Sequence, residues 1–152
     1  MIKINVIVKD KNWLKFIKNP ETYLKRKVKK IQKDKFFRKK NYNFNLQLSG
    51  TKEIKFLNKK IRKKNKSTDI LSFPNQNKKK LKKLIFINSK IYLGDIIINF
   101  KKMNTLSKIL FKDHLDTLWI HGLVHLFGYD HIKNIHHNRM QKIEKKLLKK
   151  LK

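Results

Sequence analysis

The chain has 152 residues, with 41 lysines and arginines against 10 acidic residues, a formal net charge of +31 and no cysteine. That length suits one domain, residues 1–152, built on a single hydrophobic core, and the lack of thiols excludes disulfides and thiolate metal sites. No apolar run reaches the roughly 18 residues of a membrane span, and Met1-Ile2-Lys3-Ile4-Asn5 does not open a signal peptide, so a soluble cytoplasmic protein is expected. The charge favours polyanionic partners, because phosphate contacts supply most of the affinity for nucleic acid. Lys, Asn, Ile and Phe are also the products of AT-rich codons, so mutational bias at surface positions is an equal account of the surplus.

In chain order, Ile2, Ile4, Val6 and Val8 alternate with polar neighbours and predict a half-buried strand. Trp13, Phe16 and Ile17 suggest a short helix or turn. Asn19-Pro20 starts a helix, Asn as N-cap and Pro at its first position, with Tyr23, Leu24, Val28 and Ile31 as the apolar stripe. Tyr42, Phe44, Leu46 and Leu48 mark a second strand, which Ser49-Gly50-Thr51 breaks. Ile54, Leu57 and Ile61 predict a helix to about Lys64. Residues 69–73 read as a third strand closed by Pro74. The Asn/Lys-rich tract 75–83 reads as a solvated loop, with an RNA-facing basic patch as the alternative. Residues 84–87 and 92–98 are strand candidates, and a helix is expected over 99–106. Asp113 stands as N-cap of a helix running to about Phe127. Met140, Ile143, Leu147, Leu148 and Leu151 fall at helical spacing, so the tail docks as a helix. This order predicts an α+β domain, one small mixed β-sheet packed by helices.

The chemistry concentrates at His121, His125 and His131, with Gly128 between the last two. Helix residues four apart share a face, with Cβ atoms about 5–6 Å apart. Both imidazoles can therefore reach one ion at the Zn–N distance of about 2.0–2.1 Å. Gly128 suits a helix stop in the left-handed conformation, after which the chain doubles back and His131 can close a third corner. Three protein ligands with a position left for water is the pattern of a catalytic zinc, one Zn²⁺ per chain. The alternative is three ordinary histidines on a polar face or within a core. The same spacing marks the zincin-like metal helix of metzincin proteases, where Glu follows the first histidine as general base. Here Gly122 holds that place, which argues against peptide hydrolysis. His114 lies on the same helical face and is either a proton shuttle or substrate contact, or merely a neighbour. The adjacent His136 and His137 point in different directions on a helix and read as solvated.

The run from His121 to His131, HGLVHLFGYDH, resembles the signature H-G-x-L-H-L-x-G-Y-D-H of the YbeY family of bacterial rRNA-maturation endoribonucleases, with Val124 in place of Leu. Leu57-Asn58, Arg62 and Ser67-Thr68-Asp69-Ile70-Leu71-Ser72-Phe73-Pro74 resemble the family's L-N-x-x-x-R and T-D-V-L-S-F-P segments. Leu93-Gly94-Asp95-Ile96 resembles its L-G-D-I strand. The resemblance implies a zinc-dependent, single-strand-specific endoribonuclease acting in rRNA maturation, 16S rRNA 3′-end processing and ribosome quality control. Its implied partners are an rRNA precursor and the small ribosomal subunit, with no membrane. It makes His121, His125 and His131 the metal ligands and Arg62 the cation that meets the phosphate; otherwise Arg62 is one surface cation among many. Asp130 either orients a ligand imidazole or caps the turn after Gly128. His114 stands where the family often has an acid, which leaves the general acid/base open. Ser72 and Asp95 either belong to the site or satisfy backbone at strand ends. The competing reading is a non-catalytic, basic RNA- or ribosome-binding module with a structural or absent metal.

Overall fold

The computed structural model describes every residue except 39, 88, 89, 102, 104, 105 and 131–133, and the side chain of residue 134. Its strands are β1 (Ile2–Val8), β2 (Asn41–Ser49), β3 (Ile70–Pro74) and β4 (Lys90–Asn99). Its helices are α1 (Pro20–Ile31), α2 (Thr51–Arg62), α3 (Lys78–Ile87), α4 (Lys108–Leu126) and α5 (Asn134–Leu151). The strands form one mixed sheet in the order β1-β2-β4-β3, with β3 alone antiparallel to its neighbour. The α+β expectation is met.

Alternation places Ile2, Ile4, Tyr42, Phe44, Leu46 and Leu48 on one sheet face, where they bury against α1, α4 and α5. The other face carries Leu71 and Ile97, covered by Ile54 and Leu57 of α2. Strand β4 changes phase at Gly94, where its register with β2 slips between Asn43 and Asn45. Gly94 has φ +134°, and a Cβ there would lie 2.1 Å from the Phe73 carbonyl oxygen, so only glycine fits. The bulge puts Leu93 and Ile96 into the same core while Asp95 points to the α2 side.

Four sequence expectations fail locally. Residues 78–83 of the tract read as a loop, and residues 84–87, read as a strand, are together α3. Asn77 caps it by accepting from the Lys80 N–H at 2.9 Å, lysine is a good helix former, and Leu81 and Ile85, four apart, enter the core. The apolar run looked strand-like because Phe86 and Ile87 belong to it, yet both are 77% exposed. The helix expected over 99–106 is absent among the described residues: β4 continues to Asn99, and Phe100, Lys101 and Met103 follow in bend and turn. Helix α4 is capped by Ser107, whose hydroxyl accepts from the Leu110 N–H, and Asp113 lies inside it. The tail docks as expected, with Met140, Leu147 and Leu151 buried.

Buried carboxylates fasten the layers. Asp116 accepts from Tyr23 Oη and Trp119 Nε1, each at 3.0 Å, and pairs with Lys27 Nζ at 2.7 Å, locking α4 to α1. Burial, with the Asp116 charge beside it, pushes the Tyr23 hydroxyl well above its ordinary pKa. Asp34 pairs with Lys146 at 2.8 Å and Lys150 at 3.0 Å, holding α5 to the turn before β2. Burial alone would raise the Asp34 pKa, but the two lysines and the Phe36 N–H outweigh it and hold the carboxyl down to about 2.

That depression stabilises the fold above the unfolded value near 3.8, and the contribution is lost as pH falls toward 2. Chemical denaturation followed from pH 6 down to pH 2 should lose about 2 kcal/mol through this group, and Asp34→Asn should flatten that limb. Gly122 of α4 faces the sheet so closely that a Cβ would lie 2.9 Å from Ile96 Cγ2 and 3.0 Å from Ile70 Cδ1. Gly122→Ala should therefore cost about 1–2 kcal/mol in unfolding experiments, despite its gain in helix propensity.

Candidate active site

The C-terminal half of helix α4, Leu118 to Leu126, is buried except at His121 and His125, which are half-buried. Gly122 brings this end of the helix against β3 and β4. The residue that follows the first histidine thus points into the sheet, and no side chain there could serve as a base in the cleft. After Phe127 the chain turns at Gly128, φ +82°, where a Cβ would meet Lys78 Cβ at 2.7 Å.

Each imidazole is held from behind. His121 Nδ1 lies 2.7 Å from Glu144 Oε1, and His125 Nδ1 lies 2.7 Å from the Tyr129 carbonyl oxygen. Both partners are acceptors, so both Nδ1 atoms carry the proton and both Nε2 atoms turn lone pairs forward. Those two Nε2 atoms stand 3.1 Å apart. Two facing lone pairs at that distance repel unless a proton or a cation lies between them. Two nitrogens on one tetrahedral zinc at about 2.0–2.1 Å would be separated by roughly 3.3 Å. The pair therefore fits a divalent ion in donor type, tautomer and spacing. His131, the third expected ligand, lies outside the described residues, and among those described no three His, Asp or Glu side chains gather as a metal cage.

The histidines open on a cleft of about 520 Å³ lined also by Arg62, Ser72, Tyr129 and Asp130. Arg62 reaches it from the end of α2, where Lys63 adopts the left-handed conformation and turns the chain back. The buried Asn58 donates from Nδ2 to the Lys66 carbonyl at 2.8 Å and pins that return. Leu57 meanwhile packs on Leu71 and Ile97, so each residue of the Leu57-Asn58…Arg62 motif has a part in placing the guanidinium. Arg62 Nη2 donates to the Ser72 carbonyl at 3.2 Å, and Cζ lies 5.7 Å from the Phe73 ring centroid. The fork is thereby steadied at the exposed rim with donors to spare.

The structure brings Arg62, His121, His125 and Asp130 to one cleft. His114 is half-buried on α4 and does not line it. Asp95 accepts from Tyr92 Oη and Asn45 Nδ2, each at 2.8 Å, on the other side of the sheet. Burial and this carboxylate push the Tyr92 hydroxyl up to about 12. His136 and His137, read as solvated, are half-buried on α5. Sequence reasoning missed Glu144. Its signal was there: it shares the stripe of Met140, Leu147 and Leu151, and a carboxylate among buried apolar positions needs a partner.

A four-stranded α+β domain with a histidine pair and an arginine facing one cleft defines the class. The family profile of Endoribonuclease YbeY matches residues 8–152, and the chain belongs to that family. A relative named Endoribonuclease YbeY from Pelagibacter ubique is 40% identical, covering 100% of this chain and 97% of its own. Another of that name, from Buchnera aphidicola subsp. Schizaphis graminum, is 36% identical over 96% of this chain and 89% of its own. A solution structure of a Thermotoga maritima protein shares the fold, with TM-score 0.54 and 25% identity, over 99% of this chain and 89% of that one.

Because the hydrogen bond at one ring nitrogen sets the tautomer, long-range ¹H–¹⁵N spectra above about pH 8 should show the Nδ1–H form for both histidines. Glu144→Ala should shift the His121 pattern and leave His125, which leans on a backbone carbonyl, in place. A His121 pattern indifferent to that substitution would mean that Glu144 does not hold the ring.

Proposed function

We propose that this chain is a zinc-dependent endoribonuclease that hydrolyses single-stranded RNA in the cytoplasm during rRNA maturation, with precursor rRNA on the small ribosomal subunit as substrate. The relatives' name supports RNA cleavage, and the observation that carries the reading is the convergence of His121 and His125 Nε2 at 3.1 Å inside the cleft. His121 and His125 would hold the ion, with His131 as the third ligand that the sequence supplies. When bound, such an ion supplies Lewis-acid polarisation and a nucleophile usable at neutral pH.

The chain's own groups do the rest. Glu144 and the Tyr129 carbonyl keep both rings in the ligating tautomer before substrate arrives, so no reorientation accompanies binding. Arg62, already bonded to Ser72, offers its remaining N–H donors to a phosphodiester in the cleft and to the charge that develops on it. Ile70, Pro74 and Tyr129 give the walls apolar surface on which an unstacked base can rest. A base paired within a duplex offers no such face, which is the basis for the single-strand preference.

Cleavage of an unstructured RNA should stop with chelator and return with zinc. His121→Ala should abolish it, and Arg62→Lys, which keeps the charge but loses the fork, should lower kcat by about 10²-fold. Undiminished cleavage by His121→Ala would defeat the proposal. Salt-sensitive RNA binding without turnover, indifferent to chelator, would point instead to a non-catalytic binding module.

A further inference from the structure

A second groove opens beside the cleft and shares Tyr129 with it. Its volume is about 280 Å³, and its walls are the turn Lys35–Phe37 with Arg38, the first two turns of α3, and Phe127 and Tyr129 at the end of α4. Four cations line it: Lys35, Arg38, Lys78 and Lys82. No carboxylate does so among the described residues. Its floor is aromatic: Phe36 lies with its ring centroid 4.8 Å from Phe127 and 6.0 Å from Tyr129. Lys78 Nζ sits 4.2 Å above the Tyr129 ring centroid.

The junction is closely packed. Gly128 lets α3 approach until Lys78 fills the space where a Cβ would stand. Tyr129 faces both ways, its carbonyl fixing His125 and its ring flooring the groove. An occupant of the groove is therefore separated from the histidine pair by a single residue. Cations around an aromatic floor, without acids, match single-stranded nucleic acid, where phosphates meet lysine and arginine and a base stacks on a ring.

We propose that this groove is an extension of the cleft that holds the single-stranded RNA flanking the cut bond, Lys78 and Lys82 on its phosphates and Phe36 under a base. The inference rests on the RNA-cleaving reading for its biological sense, but binding tests it independently. Codon bias is an equal account of the surplus of lysine, and that account has a distinct consequence. Another groove, at the edge of β1, is lined by Lys3, Lys25 and Lys29 with no aromatic side chain and no wall shared with the cleft. A uniform positive field would make the two grooves equivalent.

The test is fluorescence anisotropy of the full chain with a labelled, unstructured oligoribonucleotide, its integrity checked afterwards. Lys78→Ala with Lys82→Ala should weaken binding by about tenfold or more and reduce the slope of log affinity against log salt by about 1.4. Phe36→Leu, which keeps the apolar packing but removes the ring, should cost about fivefold. Lys3→Ala with Lys29→Ala should change affinity much less. Equal losses from the two lysine pairs, or no loss from the first, would overturn the proposal. A chain that binds through the groove yet leaves the strand uncut keeps this inference and refutes the endonuclease reading. A chain that cuts the strand while its affinity ignores Lys78 and Lys82 does the reverse.

Discussion

The site depends on how closely α4 lies against β3 and β4. A helix carrying an ordinary side chain at Gly122 would be held off by Ile70 and Ile96. The histidines one residue before and three after that contact would move outward with it. Their rear partners come from separate elements, Glu144 from α5 and Tyr129 from the turn behind α4. A displacement of α4 would stretch both contacts at once. Glycine follows the first histidine for a reason of packing, and the same packing leaves no room there for the glutamate of a peptidase.

The acidic residues show the complementary economy. With 10 of them against 41 basic residues, most already have a use inside or along the fold. Asp34 holds two lysines, Asp116 joins two helices, Glu144 steadies His121 and Asp95 closes a polar cluster across the sheet. Asp10 caps the turn after β1, and Glu53 accepts from the Ser49 hydroxyl. What remains at the surface is almost entirely positive. A polyanion approaching this molecule meets little opposition, whatever drove the lysine content up.

How much of this could be read in advance follows from the range of the interactions involved. Strands β1 and β2 announce themselves by alternation, and α1 by Asn19-Pro20, because both signals are local. The pairing of His121 with His125 is likewise set by one turn of helix. Helix α3 was hidden because Leu84 to Ile87 carry strand-like residues, and only Leu81 and Ile85 docking in the core decides between the two periods. The start of α4 was missed by six residues, since Asp113 and Ser107 are both good caps and the choice is made by burying Phe111. Glu144 lies 23 positions from the ring it holds, a distance over which a sequence offers composition but no geometry.

Net charge and site geometry carry different kinds of information here. Codon bias can raise the number of lysines, but it has no means of turning Nε2 of two imidazoles toward each other, nor of placing an arginine fork at the rim of the same cleft. Nor does bias sort its lysines around aromatic rings. Lys78 lies above Tyr129, and the backbone of that same residue orients His125. One turn of chain thus joins a cation–aromatic surface to the histidine pair, with Tyr129 as the residue common to both. The placement of α3, the element that was hardest to read from sequence, therefore decides how the basic surface and the candidate catalytic groups meet.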